Sequence, residues 1–153
     1  MAQLNISLPP PKESPDFDGW LTQVTQYLRD YLGLSYTDRG NPAVKDFIIS
    51  DFTTDGTWKT GANALDFSSI VPFGAKAMLL RVGIKDNAVS TEFLFRKSGQ
   101  SNDVNISQIL TQVSGVWVVN DMILSCSADR KVEYSGTSTA IDDGFMVVKG
   151  WWI

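Results

Sequence analysis

Histidine is absent from the 153 residues, and Cys126 is the single cysteine. Histidine is the usual general base near neutral pH and the commonest metal ligand, so its absence removes histidine-based catalytic triads and most zinc sites. One cysteine also excludes an intrachain disulfide and a cysteine-rich metal site. Because Cys126 follows the apolar Ile123 and Leu124 closely, we expect a thiol packed in a core, not a reactive one.

Positive charge is scarce, with 13 Lys and Arg against 17 Asp and Glu and a net charge of −4. Such a chain lacks the basic footprint of a nucleic-acid-binding protein. No apolar run approaches the roughly 18 residues of a membrane span. Residues 1–8 have neither the basic start nor the apolar core of a signal peptide. We therefore expect no nucleic-acid partner, no membrane insertion, and synthesis in a cytoplasm.

The sequence predicts no catalytic, cofactor or metal site. Asp142 and Asp143 are adjacent, and neighbours on a strand point to opposite faces, so these carboxylates would not converge on a substrate. With Gly144 they are typical of a hairpin turn instead. Glycine-rich phosphate loops and nucleophile elbows are absent. We expect a non-enzymatic protein that needs no cofactor.

The first segment, residues 1–17, reads as an extended arm. Three consecutive prolines fix φ and remove backbone donors, which excludes a helix interior or a central strand. The apolar residues before them alternate, as in a strand that adds to the sheet edge of another protein. A disordered leader and a docking arm that orders on a partner both fit. The docking residues would be Leu4, Ile6, Leu8, Pro9, Pro10 and Pro11.

The second segment, residues 18–36, is predicted to be one short amphipathic helix. Its apolar residues recur at alternating spacings of four and three, as in a coiled-coil seam. A helix this short is marginal alone in water. It would either pack on its own domain or join the helices of other chains in a bundle. The seam residues are Trp20, Val24, Tyr27, Tyr31 and Leu34.

The third segment, residues 44–153, follows a turn or linker at 37–42 and reads as about eight short strands. Residues 76–85 alternate between two faces, and Gly, Asn, Asp and Ser separate the strands. This pattern is typical of an antiparallel β-sandwich or barrel. Eight strands in two sheets favour a jelly-roll-like sandwich as the head domain. Strand order stays open at this level.

The last predicted strand carries Trp151 and Trp152, which must point to opposite faces. An apolar strand of this kind is expected to be tied down by burial in a sheet or against a partner. One tryptophan can fill the core of the sandwich. The other needs a second cover, most simply a neighbouring subunit, so both are assigned to an oligomer interface.

Trp58 and Trp117 stand among polar residues. Each could present a flat platform on which a sugar ring stacks. Tryptophans at strand positions also pack in cores and at subunit contacts, where their large apolar area is buried. Both interpretations stay open.

Three segments share a recurring pattern of hydrophobic strands and glycine turns. They are Ile70–Val82 (IVPFGAKAMLLRV), Phe93–Gly99 (FLFRKSG) and Val147–Ile153 (VVKGWWI). Together they resemble β-sandwich domains of bacteriophage structural proteins, notably the C-terminal domains of tail fibres and head fibres, over residues 65–153. The resemblance implies trimeric assembly and, in many such domains, binding of receptors or carbohydrates. Its motifs are structural, so no binding residue is carried over.

Two functional hypotheses follow. The first is a virion structural protein, a homotrimeric head or tail fibre or capsid decoration subunit, whose arm docks on other virion proteins. Three weak arms on one trimer would gain avidity through effective concentration, and host-surface carbohydrate is a further candidate partner. The alternative is a carbohydrate-binding module or lectin-like β-sandwich.

Overall fold

The computed structural model of this chain describes residues 17–32, 35–137 and 141–153, with 26–32 described by their backbone alone. The chain divides into two units, one containing the helix and one running from Tyr36 to Ile153. Helix α1 spans Phe17–Leu32, so the predicted helix is present but ends four residues before the predicted residue 36. Asp18 lies in its first turn, where a negative charge favours the helix dipole.

Only part of the predicted helical seam can be placed. Trp20 and Val24 are half-buried, and the rings of Phe17 and Trp20 lie 5.8 Å apart. The side chains of Tyr27 and Tyr31, residue Leu34 and the six docking-arm residues lie outside the described residues.

Nine strands make up the second unit within the described residues. They are β1 (Tyr36–Asp38), β2 (Phe47–Ile48), β3 (Leu65–Asp66), β4 (Ala77–Lys85), β5 (Glu92–Lys97), β6 (Ser107–Leu110), β7 (Val118–Ser125), β8 (Lys131–Gly136) and β9 (Asp143–Trp152).

The strands form two antiparallel sheets. Sheet I has the order β1-β9-β4-β7, with β2 also paired to β9, and sheet II has the order β3-β8-β5-β6. If β1 and β2 are counted as two pieces of one first strand, the sheets read 1-8-3-6 and 2-7-4-5. This is the strand order of a jelly roll, so the predicted mainly-β sandwich is confirmed and its topology is now known.

One hydrophobic core lies between the sheets. Alternate residues of the long strands β4 and β9 enter it, as the period of two requires. Its fully buried members include Phe67, Met78, Leu80, Val82, Ile84, Phe93, Phe95, Ile109, Val132, Met146 and Val148. Cys126 is also buried, as predicted, and burial raises the pKa of its thiol to about 11.

Two local predictions are wrong. Tyr36–Asp38 is a strand, not the end of a helix and the start of a linker, because it pairs with the last residues of β9. Asp143 and Gly144 start β9 and pair with Lys85 and Ile84 of β4, so they do not form a hairpin turn. In both places a ladder with a distant strand overrides local turn chemistry.

Candidate assembly surface

The face of sheet I turned away from the core, here called the outer face, is unusually apolar for a surface. Ile123, Ile48 and Val119 are 60%, 47% and 45% exposed on it. Half-buried Leu79, Phe145 and Val147 lie beside them by strand register. Isolated exposed apolar residues are ordinary, whereas several on one sheet face are typical of an interaction site. The row formed by Arg81 and Asp121 divides these residues into two groups.

Tyr36 and Trp152 form one corner of the outer face. The two residues pair across β1 and β9, and their rings lie 4.9 Å apart. Tyr36 also covers Gly150, where a Cβ atom would collide with the phenol oxygen. Trp152 remains half-buried, so its own chain supplies part of the cover that the sequence led us to expect from a neighbour.

Trp151 lies on the other side of β9 and packs against the hydrophobic core. A register shift in the pairing of β4 with β9, at Leu79 and Leu80, precedes this position. Trp151 therefore stabilises its own sandwich, and Trp152 is the tryptophan of the pair that the outer face presents.

Phe145 and Trp117 form the opposite corner. The Phe145 ring lies directly over Gly83, and only a residue without a Cβ atom leaves room for it. Trp117 contacts that ring at 5.5 Å and is 38% exposed. The Lys45 ammonium stands 4.7 Å from the Phe145 centroid and 5.7 Å from that of Trp117. These cation–π contacts hold the corner together.

A charged network crosses the middle of the outer face. Asp121 accepts hydrogen bonds from Arg81 Nε at 2.8 Å and Arg81 Nη2 at 3.2 Å, and from Lys149 Nζ at 2.7 Å. These hydrogen bonds lower the pKa of Asp121 from 3.8 to about 2, Arg81 making the largest contribution and Lys149 the next. The carboxylate thus has two cationic partners on its own chain.

We expect acid to release this network only at very low pH. A carboxyl whose pKa is lower in the folded state contributes stability that is present above its unfolded pKa and is lost as pH falls through the folded value. For Asp121 that window runs from about pH 4 down to about 2. Carbon-detected NMR should place its titration midpoint near 2, and the stability difference between wild type and Asp121→Asn should shrink across the same window. A midpoint near 3.8 would contradict the network.

Trp58 lies on the other side of the sandwich, against sheet II. The Arg96 guanidinium stacks on its ring at 3.9 Å, and Arg96 is only 7% exposed. Arg96 Nε donates to Glu133 Oε2 at 2.8 Å, and the Gly99 amide donates to Glu133 Oε1 at 3.0 Å. One face of Trp58 is therefore occupied by a buried ion pair, which leaves that face closed to a sugar ring.

The described residues contain no group of three or more His, Cys, Asp and Glu side chains arranged to hold a metal ion. In the same part of the chain no helix combines the length and apolar character needed to cross a membrane. Sequence reasoning had placed Trp117 and Trp152 among the interaction residues. It missed Ile48, Val119 and Ile123, because only the strand register shows that they share a face.

A scan against models of protein families finds no match, and a search of the curated proteins likewise finds none.

Proposed function

We propose that this chain is a non-enzymatic virion structural protein that assembles with two further copies of itself into a head or tail fibre or a capsid decoration. The N-terminal arm anchors it to other virion proteins in this proposal. The observation that carries self-assembly is the apolar outer face of sheet I, which a lone chain would leave in contact with water.

The outer face is chemically suited to burial against a second copy. Its central carboxylate is already paired, since Asp121 binds both Arg81 and Lys149, and the network as a whole keeps one net positive charge. A partner can therefore cover the network without leaving an isolated buried carboxylate, which is the costly case. Ile123 and Val119 flank the network on β7 and supply apolar area that gains from contact.

The helix adds a second route to self-association. It ends at Leu32, and β1 begins at Tyr36, so three residues connect them. If helices of several chains associate through Trp20 and Val24, the sandwiches of those chains become part of one particle. Linked contacts of this kind reinforce one another through effective concentration. The number three and the virion setting rest on the resemblance to phage appendage domains.

The mass of the whole chain in solution tests the assembly. We expect sedimentation equilibrium at micromolar concentration to give three times the 16.9 kDa of one chain. A stable monomer at that concentration would contradict the proposal. Deleting residues 1–15 should leave this mass ratio unchanged but abolish incorporation of the labelled protein into particles seen by electron microscopy, and incorporation of the truncated chain would refute the anchoring role.

A carbohydrate-binding module is the second candidate, because Trp117 keeps 38% of its surface exposed beside the Lys45 ammonium. Jelly rolls also occur among lectin domains. A glycan array separates the two candidates. Binding that is lost in Trp117→Ala, by a chain that sediments as a monomer, would favour the module over the virion subunit.

A further inference from the structure

Lys97 is a charged residue at an inward-facing position of sheet II. Phe93, Phe95 and Lys97 alternate along β5, and the two phenylalanines are buried in the core. Lys97 pairs with Val132 of β8, which is also fully buried. The lysine thus lies at the end of β5 with its side chain toward the gap between the two sheets, where the strand pattern would otherwise require an apolar residue.

The gap at this position is a polar cleft between two edge strands. Strands β6 and β7 are the last strands of sheet II and sheet I on this path, so each has one edge without a strand partner. A small, open cleft of about 50 Å³ lies beside them. Its lining residues are Lys97, Gln100, Asn105, Ser107, Ile123, Leu124 and Ser125.

The Lys97 ammonium has no hydrogen bond or ion pair within the described residues, although acidic residues lie nearby in the sequence and in sheet II. Asp103 and Glu133 both bind Arg96. Asp129 accepts hydrogen bonds from the backbone of Lys131 and from Ser98. The acids are therefore committed elsewhere, and the cleft keeps an uncompensated positive charge.

We propose that this cleft binds a hydroxylated carboxylate, the chemistry of an acidic sugar unit such as a uronic acid. The ammonium pairs with the carboxylate. Gln100 and Asn105 can each donate to and accept from sugar hydroxyls, as can the hydroxyls of Ser107 and Ser125.

The assignment stands on the cleft alone and goes beyond the proposed assembly. It differs from the predicted tryptophan platforms, because its selectivity comes from one cation and several neutral polar groups. An inward-pointing lysine can also serve only to protect a sheet edge from pairing with other strands. That role requires no ligand, so binding measurements distinguish edge protection by Lys97 from ligand binding.

The test titrates the full chain, labelled with ¹⁵N, separately with D-glucuronate, D-glucose and acetate. We expect glucuronate to shift the amide signals of Ser107, Ser125 and Gln100 in a saturable manner. Glucose and acetate should each bind at least about tenfold more weakly, because each lacks one half of the recognised chemistry. Failure of glucuronate to bind, or equal binding of glucose or acetate, would overturn the assignment.

Substitutions in and outside the cleft test where glucuronate binds. Lys97→Gln should weaken glucuronate binding at least about tenfold, whereas Lys85→Gln, which removes the same charge at the end of β4, should leave it unchanged. Asn105→Ala, in an exposed loop, should weaken binding without affecting the fold, and so covers the case in which Lys97→Gln is unstable. Equal losses in the Lys97 and Lys85 variants would show non-specific attraction and refute the site.

Discussion

Replacing Arg96 with methionine is expected to lower the free energy of unfolding by about 3–5 kcal/mol. Arg96 and Glu133 are 7% and 5% exposed, and the guanidinium bridges Glu133 and Asp103. Without it, the Glu133 carboxylate would stay buried with no cation. Removing one partner of a buried pair is costly for this reason, even where the intact pair adds little net stability.

The same substitution should loosen two segments outside sheet II. Trp58 would lose the guanidinium stacked on its ring, and Asp103 would lose its ion-pair partner in the loop after β5. We therefore expect faster amide exchange around both residues. Local loss of this kind is the signature of a contact that holds loops to the sheet.

Arg81→Met is the matched control, with both substitutions made in chains that carry Ile123→Asp, so that the outer face stays exposed to water. Arg81 binds Asp121 at the same 2.8 Å separation, but its side chain is 50% exposed. An exposed pair of this type contributes little to stability, because solvent screens it. Urea unfolding at one fixed protein concentration should therefore separate the two variants clearly, and adding Glu133→Gln to Arg96→Met should recover part of the loss. Equal costs for Arg96→Met and Arg81→Met would contradict the argument from burial.

Ile123→Asp is expected to separate the assembled chains into folded monomers. In the single chain Ile123 is 60% exposed near the end of β7, so an aspartate there has access to water and the sandwich should keep its stability. In the proposed assembly the same carboxylate would be buried against a partner without a cation. An uncompensated charge at an interface costs about 2–5 kcal/mol, which raises the dissociation constant at least about 30-fold.

Val104→Asp is the control for this variant. Val104 is 93% exposed but lies in the loop between β5 and β6 of sheet II, outside the strands of sheet I. Sedimentation should find that the Val104 variant keeps the wild-type mass and the Ile123 variant does not, with unchanged circular dichroism for both. If Ile123→Asp keeps the assembled mass, the outer face is not an interface. Association through the helix alone would then have to account for the assembled mass.

Local pattern predicted most of the fold class. The alternation in residues 77–85, where Met78, Leu80 and Val82 enter the core, is a property of consecutive residues and is visible without a structure. The helix at Phe17–Leu32 and the buried Cys126 follow from equally local signals. Of the candidate assembly surface, the sequence predicted only Trp152 and Trp117, because large aromatic side chains are common in interaction sites wherever they lie in the fold.

The remaining features depend on which strands become neighbours. Thr37 and Asp38 have turn-forming sequence, yet they join a sheet because β9 presents a free edge to them. Arg96 looks like an ordinary surface charge in the sequence, and only its pairing opposite Glu133 across β5 and β8 shows that it is buried. Likewise, only the pairing of Lys97 with the buried Val132 of β8 shows that Lys97 occupies an inward-facing position.

A mainly-β domain after one helix can be predicted from the amino-acid sequence, because side-chain periodicity and turn residues act over a few positions. Tertiary structure alone decided the jelly-roll order, the covering of Trp58 and the shared outer face of Ile48, Val119 and Ile123. Pairing between distant strands decides these features, since each is stabilised by contacts that no short stretch of sequence contains.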